Sequence, residues 1–120
     1  MKKDKILICD DEEGVRESMR LILEKDYDLC FACDGYEAID LVKTECPNLA
    51  LLDIKMPVMN GIETLKHIQR VNPETKVLFV TGYQYTDVAK DALQVGAQSY
   101  IVKPFSSQEL MEAVKKTLKK

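Results

Sequence analysis

The sequence predicts a single doubly wound α/β domain, in which a five-stranded parallel sheet carries helices on both faces. Three observations support this. Five short apolar runs recur along the 120 residues, an amphipathic helical pattern follows each run, and no Pro-, Gly- or Ser-rich linker divides the chain. Strict alternation of strands and helices is typical of parallel sheets joined by right-handed crossovers. The length is close to the commonest size of one domain, so we assign residues 1–120 to one domain.

The five expected strands are short and mostly apolar. The first, third and fourth are almost continuously apolar rather than alternating, which indicates strands that are covered on both faces. In chain order they are residues 5–9, 29–33, 49–53, 77–81 and 99–103.

Each expected helix has one apolar face. In chain order these faces consist of Val15, Met19, Ile22 and Leu23; Ala38, Leu41 and Val42; Ile62, Leu65 and Ile68; Val88, Ala92 and Val95; and Leu110, Val114 and Leu118. Turn and capping residues mark several helix ends. They are Asn60 with Gly61 and Asn72 with Pro73 at the two ends of the third helix, Gly96 after the fourth, and Ser106 with Glu109, a capping box, before the fifth.

The composition excludes several classes of protein. Hydrophobic residues make up 46% of the chain and charged residues 31%, a balance that argues against disorder. Seventeen Lys and Arg against twenty Asp and Glu give a net charge of −3, so the domain lacks the basic footprint of a direct nucleic-acid binder. No apolar run approaches the roughly 20 residues of a membrane span, and the start lacks the apolar stretch of a signal peptide. We therefore expect a cytoplasmic protein with no membrane partner.

The cysteines do not form an obvious site. Cys30 and Cys33 make a Cys-x-x-Cys pattern, but both fall in an expected strand, where residues three apart point to opposite faces. With Cys9 and Cys46 they are expected to be four separate thiols, buried or half-buried. The single histidine, His67, has no partners of the kind that a zinc site needs and is expected on an exposed helix face.

Chemistry-bearing residues follow the strands at their carboxyl ends, which is where open α/β sheets bind ligands. We interpret Glu12 and Glu13 as residues of a helix first turn, which the helix dipole favours. The second strand leads into Asp34 and Gly35, a turn. The strand ends deliver Asp10 and Asp11, then Asp53, then Thr81 and Gly82, and finally Lys103 and Pro104.

The charges at this edge favour phosphate chemistry with a magnesium ion. Asp10, Asp11 and Asp53 would raise one another's pKa and oppose folding unless a cation relieved the repulsion. A set of carboxylates completed by water suits Mg²⁺. A carboxylate nucleophile at Asp53, a metal and the ammonium of Lys103 are the parts that phosphoryl transfer to an aspartate requires. The hydroxyl of Thr81 can bind a phosphoryl oxygen for which Gly82 leaves room.

These motifs resemble the receiver domain of bacterial two-component response regulators, and the resemblance covers the whole chain. It implies a flavodoxin-like, three-layered fold with strand order 2-1-3-4-5 and five helices. The motifs that carry it are Asp10 with Asp11, the stretch from Asp53 to Gly61, Thr81 with Gly82, and Lys103 with Pro104 and Phe105.

The resemblance also implies roles for the residues at the edge. Asp53 would accept a phosphoryl group from a sensor histidine kinase or a phosphotransfer protein. Asp10, Asp11, Asp53 and the backbone carbonyl of Lys55 would hold Mg²⁺, with Asp11 the more direct ligand and Asp10 acting through water. Lys103 would bind the phosphoryl group. Such a domain is a signalling switch and not an enzyme, because it catalyses only its own phosphorylation and dephosphorylation.

The output of the switch is implied in the same way. Thr81 and Tyr100 would form the switch pair, and a cis peptide bond would precede Pro104. Lys55 and Tyr83 would overhang the pocket and tune the phosphoryl lifetime. The surface that changes would comprise residues 85–95 and 99–119, which would meet an effector domain, a downstream target protein or, after phosphorylation, a second copy of the chain.

Two other classes fit less well. A haloacid-dehalogenase-type phosphatase needs a second Asp two residues after its nucleophile, and that position here is Lys55. A flavodoxin needs a Ser-, Thr- or Gly-rich phosphate loop after its first strand, where this chain has Asp10 and Asp11. Both a stand-alone receiver and a receiver taken from a longer DNA-binding or enzymatic regulator are compatible with the sequence.

Overall fold

A computed structural model describes residues 2–119; Met1 and Lys120, the two ends of the expected domain, lie outside the described residues. Strands and helices alternate along the chain, as the sequence predicts. The elements are β1 Lys5–Cys9, α1 Glu13–Leu23, β2 Asp28–Ala32, α2 Gly35–Glu45, β3 Leu49–Leu52, α3 Gly61–Val71, β4 Lys76–Gly82, a 3₁₀ turn Tyr83–Tyr85, α4 Thr86–Leu93, β5 Ser99–Lys103 and α5 Ser107–Leu118. All strand pairs are parallel and the order is β2-β1-β3-β4-β5, which confirms the flavodoxin-like topology.

The sheet is the middle of three layers. Alternate residues of its central strands point to opposite faces, so Leu7 and Phe79 pack in a core cluster with α2, α3 and α4, whereas Ile8 and Val80 pack in a second cluster with α1 and α5. All four are essentially inaccessible to solvent. Burying such a side chain stabilises the fold by about 1.5–3 kcal/mol. Burial on both faces explains why these strands lack polar alternation.

The apolar face of α4 differs from the sequence prediction. Val88 is 40% exposed and Val95, which lies beyond the helix end, is 45% exposed. Ala92 is buried as predicted, and Ala89 is buried in place of the valines. The helix is short and contacts both β4 and β5. Alanines let its backbone approach the sheet, and this rotates the valines toward solvent.

Strand ends agree with the expected positions to within one residue, and so do the marked ends of α3 and α5, whereas α4 ends at Leu93, two residues before Val95. Asn60 with Glu63 and Ser106 with Glu109 form capping boxes at α3 and α5. Asp34, expected in a turn, is the N-cap of α2 and accepts a hydrogen bond from a backbone amide there. Strand β2 lies one residue earlier than expected, β3 ends just before Asp53, and β4 extends one residue further at each end.

The loop between β3 and α3 places Asp53 at the edge of the sheet. The amide of Gly61 donates to the carbonyl of Ile54 at 2.8 Å. A Cβ on Gly61 would come within 2.9 Å of Ile54 Cα and of the Phe79 ring, so the start of α3 can approach this closely only with glycine. Within this loop, Val58 adopts a φ of 69° and is 83% exposed. The amide of Met59 donates a hydrogen bond to the carbonyl of Pro57 at 2.7 Å. The loop therefore makes a tight turn immediately after the aspartate.

The four cysteines are free in the structure, and their exposure is only partly as expected. Cys9 is buried and Cys30 half-buried, but Cys33 and Cys46 are exposed. The prediction was wrong for these two because β2 ends before Cys33, and Cys46 caps α2 at the surface in a left-handed conformation with a φ of 47°. His67 is exposed on α3, as predicted. Within residues 2–119, no helix combines the length and the apolar character that crossing a membrane requires.

Candidate functional site

Two buried carboxylates lie side by side at the carboxyl edge of the sheet. Asp10 follows β1 and Asp53 follows β3, and these strands are parallel neighbours in which Cys9 pairs with Leu52. Asp10 is 1% exposed and Asp53 is 7% exposed. Desolvated carboxylates are costly unless a cation or hydrogen-bond donors compensate them. The local fold therefore creates a strong requirement for positive charge at this point.

Lys103 supplies one such charge. It ends β5, and its side chain crosses the end of β4 to reach both carboxylates. The ammonium Nζ donates to Asp10 Oδ2 at 2.8 Å and to Asp53 Oδ2 at 3.0 Å, with the side chain 19% exposed. A long flexible stem with a compact charge suits this reach. One ammonium thus holds together two negative charges from different strands.

Burial and hydrogen bonding act in opposite directions on these groups. Burial raises the pKa of the Asp10 carboxyl above its usual value, although hydrogen bonds from Lys103 and from the Glu12 amide oppose the shift. Burial lowers the pKa of Lys103, but its hydrogen bonds to Asp10 and Asp53 outweigh burial, and the net pKa is raised. The ammonium of Lys103 is therefore fully charged at neutral pH.

The other oxygen of Asp53 is also bound. The hydroxyl of Thr81, which is fully buried near the end of β4, donates to Asp53 Oδ1 at 2.8 Å. The backbone amide of Lys55 donates to the same oxygen at 3.3 Å. A carboxylate held from both sides in this way has a defined orientation toward the cavity beside it, as a positioned nucleophile requires.

Carboxylates suited to a hard cation gather on the other side of Asp10. Oxygens of Asp10, Asp11 and Glu12 lie within 4.8 Å of one another; Asp10 is buried and the other two are exposed. Oxygen donors in this number, together with water, fit the preferences of Mg²⁺. Asp53 is linked to this group through Lys103, whose ammonium binds both Asp53 and Asp10. The carboxylates of Asp10, Asp11, Glu12 and Asp53 outnumber the ammonium of Lys103, which binds two of them. This excess of negative charge favours the binding of a cation.

The sequence did not indicate that Glu12 belongs to the site. We expected it in the first turn of a helix, but it is the N-cap of α1 in an extended conformation, with φ −98° and ψ 119°. Its amide donates to Asp10 Oδ1 at 2.9 Å. The sequence also did not indicate Arg16. Its Nη1 donates to the backbone carbonyl of Asp10 at 2.6 Å and so ties α1 to residues 10–12 between β1 and α1, the acidic loop. The sequence offers one signal for this role of Arg16, its position one turn into the helix that follows Asp10 and Asp11.

A cavity of about 440 Å³, which we call the acidic cavity, opens above these groups. It is lined by Asp11, Glu12, Asp53, Lys55, Gly82, Gln84, Tyr85 and Lys103. Tyr83 does not belong to this lining and is 76% exposed, so the expectation that it overhangs the pocket was wrong. The 3₁₀ turn explains the difference, because it directs Tyr83 outward and brings Gln84 and Tyr85 over the cavity.

Two further residues lie next to the site and not within it. Tyr100 is half-buried in β5, packs against the α2–α3–α4 core cluster, and pairs with Phe79, two residues before Thr81. Pro104 follows Lys103 through a cis peptide bond at the start of the loop to α5. The structure thus places Tyr100 on the same face of the sheet as Thr81 but two residues further from the carboxyl edge.

Fold and site together define a class: doubly wound α/β domains whose acidic pocket lies at the carboxyl edge of a sheet of order 2-1-3-4-5. This chain belongs to the response regulator receiver domain family, whose model matches residues 6–115. Members of this family are phosphoacceptor signalling domains of two-component systems, and they are switches rather than classical enzymes.

Individual relatives agree with this membership. The chain is 38% identical over 119 residues to the sporulation initiation phosphotransferase F of Bacillus subtilis, covering 98% of this chain and 96% of that protein. It is 34% identical to the probable transcriptional regulator ycf27 of Porphyridium aerugineum, over all of this chain but 50% of that protein. Among solved structures, a CheY-like receiver domain protein from Methanospirillum hungatei matches with a TM-score of 0.91 and 36% identity, covering 98% of this chain and 94% of the other.

Proposed function

We propose that Asp53 accepts a phosphoryl group from a sensor histidine kinase or a phosphotransfer protein. The observation that carries the proposal is the ammonium of Lys103 bound to both Asp10 and Asp53, with the Thr81 hydroxyl on the other Asp53 oxygen. An Asp53 oxygen attacks the phosphorus, the bond between phosphorus and the donor atom breaks, and its electron pair leaves with the donor. Lys103 then binds a phosphoryl oxygen as a point charge.

The same proposal assigns the metal site. Asp10, Asp11, Asp53 and the backbone carbonyl of Lys55 would hold Mg²⁺, with Glu12 adjacent. When bound, the ion neutralises charge on the transferred phosphoryl group. Side chains of the protein position the nucleophile: Lys103 and Thr81 orient the Asp53 carboxylate. Because Asp53 is buried, bulk water is excluded from one side of it.

Metal removal tests this assignment. With Mg²⁺ and a small acyl phosphate, the protein should gain one acid-labile phosphoryl group, measured by the mass of the intact protein. Excess chelator should reduce this uptake to the background level, because Lys103 alone cannot balance Asp10, Asp11 and Asp53 as well as the incoming phosphoryl charge. Restoring Mg²⁺ in excess of the chelator is the control. Undiminished uptake in chelator would contradict the metal role.

We also propose how the chemistry reaches the surface. Phosphorylation changes the charge at Asp53 from −1 to about −2. The Thr81 hydroxyl, drawn toward the phosphoryl group, leaves space on the face of the sheet that Tyr100 shares, and the Tyr100 ring turns inward. The switch surface, residues 85–95 and 99–119, then changes shape and meets an effector domain, a downstream target protein or a second copy of the chain. We propose that the protein meets these partners in the cytoplasm.

Thr81→Ala tests this coupling. The variant should still accept phosphate at Asp53, because the nucleophile, the acidic residues and Lys103 remain, but it should lose most of the distant response. Amide NMR spectra with and without the phosphoryl mimic beryllofluoride would measure it. Shift changes of wild-type size along α4 and α5 in the variant would show that Thr81 does not couple the site to the surface.

A further inference from the structure

The two ends of α4 are held unequally. At the C-terminal end, Gly96 adopts a φ of 118°, and the amide of Ala97 donates to the carbonyl of Ala92 at 3.1 Å. A glycine in the left-handed conformation closes a helix in this way, because it turns the chain so that the following amides bind the last carbonyls. Ala92 and Ala97 are both buried in the α2–α3–α4 core cluster. The amide of Gln98 then donates to the carbonyl of Val77 in β4 at 2.8 Å, so this end is joined directly to the sheet.

A side chain of α3 fastens the same end of α4. Gln69 Nε2 donates to the backbone carbonyl of Val95 at 2.8 Å. A Cβ on Gly96 would overlap the Gln69 carboxamide, so the glycine also allows this close approach. In the part of the chain that the structure describes, no other side-chain hydrogen bond joins residues 86–96 to a different element. Because the inner face of α3 is buried in the core, Gln69 ties the end of α4 to a fixed support.

The N-terminal end of α4 is held more weakly. Tyr85, at the N-cap position, makes no side-chain capping hydrogen bond, and the 3₁₀ turn Tyr83–Tyr85 contains no buried residue. Val88 in the first turn is 40% exposed, and Ala89 provides the buried contact of this half with the core. Tyr85 and Asp53 line the same acidic cavity. The loosely held end of α4 is therefore the end beside the proposed acceptor.

The proposed rotation of Tyr100 acts on this unequally held helix. Tyr100 packs against the α2–α3–α4 core cluster, to which α4 contributes Ala89 and Ala92. Protein cores are close-packed, so a ring that turns inward needs space that α4 occupies, and the helix must be displaced. A rigid helix that is fastened at one end is displaced mainly at the other.

We propose that Gln69 holds the C-terminal end of α4 in place, and that α4 turns about this end when Asp53 is phosphorylated. This inference rests on the proposed function of Asp53. The switch surface then changes most at residues 83–90 and least at residues 93–97, so a partner that distinguishes the phosphorylated protein contacts the first of these segments. Gln69 is thus a positioning residue that acts through the Val95 carbonyl.

The wild-type protein provides the first test, with beryllofluoride and Mg²⁺ in place of the phosphoryl group. Residual dipolar couplings of the α4 amides should change, because the helix axis takes a new direction. With a rise of about 1.5 Å per residue, a turn about Val95 displaces Thr86 about fourfold more than Leu93. The nuclear Overhauser contact between the Gln69 side-chain NH₂ and Gly96 should persist. Unchanged couplings, or loss of that contact, would overturn the inference.

Gln69→Leu tests the role of the side chain itself, because it keeps the approximate size and removes the donor. Without beryllofluoride, hydrogen exchange of the Ala97 amide should become about fivefold faster, the factor that corresponds to one hydrogen bond of ordinary strength. With beryllofluoride, the shift changes at Gly96 and Ala97 should become larger than in the wild type. Gln108→Leu, at an exposed position of α5, is the matched control and should do neither.

The outcomes separate this inference from the proposed function. Wild-type exchange and wild-type shift changes at Gly96 and Ala97 in Gln69→Leu would overturn the role of Gln69 and leave Asp53 as the acceptor. Absence of any response of the Asp53 and Lys55 amides to beryllofluoride in the wild type would instead overturn the proposed function.

Discussion

Asp53→Asn is expected to abolish phosphoryl uptake from a small acyl phosphate. The amide keeps the size of the side chain and can still accept hydrogen bonds from Thr81 and the Lys55 amide, which bind Asp53 Oδ1. It lacks the anionic oxygen that attacks phosphorus. The change should therefore remove the chemistry without unfolding the domain. Intact mass after incubation with Mg²⁺ and the acyl phosphate measures the effect.

Asp40→Asn is the matched control, because Asp40 is an exposed carboxylate on α2 and does not line the acidic cavity. It should accept one phosphoryl group as the wild type does. Equal labelling of Asp53→Asn and wild type would show that another residue is the acceptor, and the assignment of the site would fail with it.

Lys103→Met should produce the largest loss of stability of the changes considered. The thioether keeps the length of the stem but removes the ammonium that binds Asp10 at 2.8 Å and Asp53 at 3.0 Å. Leaving buried carboxylates without their cation costs about 3–5 kcal/mol of unfolding free energy. Denaturant unfolding at neutral pH, without added divalent cations, measures this loss.

The charge mechanism is separated from lost packing by a double-mutant cycle. In the background of Asp10→Asn, Lys103→Met should cost clearly less, because one of the two carboxylates that Lys103 compensates is already neutral. Lys116→Met, at an exposed position of α5, is the control and should leave the unfolding free energy nearly unchanged. Equal costs of Lys103→Met in both backgrounds would mean that the ammonium does not hold the two charges together.

The sequence alone was sufficient for the fold and for the centre of the site, because both follow from local patterns. Continuous apolar runs separated by amphipathic helices predict a parallel sheet, and the carboxyl ends of parallel strands necessarily share one edge. Asp10, Asp53, Thr81 and Lys103 each stand at or just after such an end, so their meeting could be expected without coordinates. The hydrogen bonds among them have this origin.

Other features depended on tertiary packing. The orientation of α4 was decided by which residues fit closely against β4 and β5, and alanines fit there where valines do not. The choice between Tyr83 and Gln84 at the cavity depended on a single 3₁₀ turn, whose rotation no periodic pattern encodes. Glu12 and Arg16 each donate a hydrogen bond to Asp10, and these contacts depend on the direction of α1 relative to the end of β1. Strand ends are positioned by the regular geometry of the sheet, whereas loop side chains are oriented by contacts between elements distant in sequence, and for that reason only the three-dimensional structure shows them.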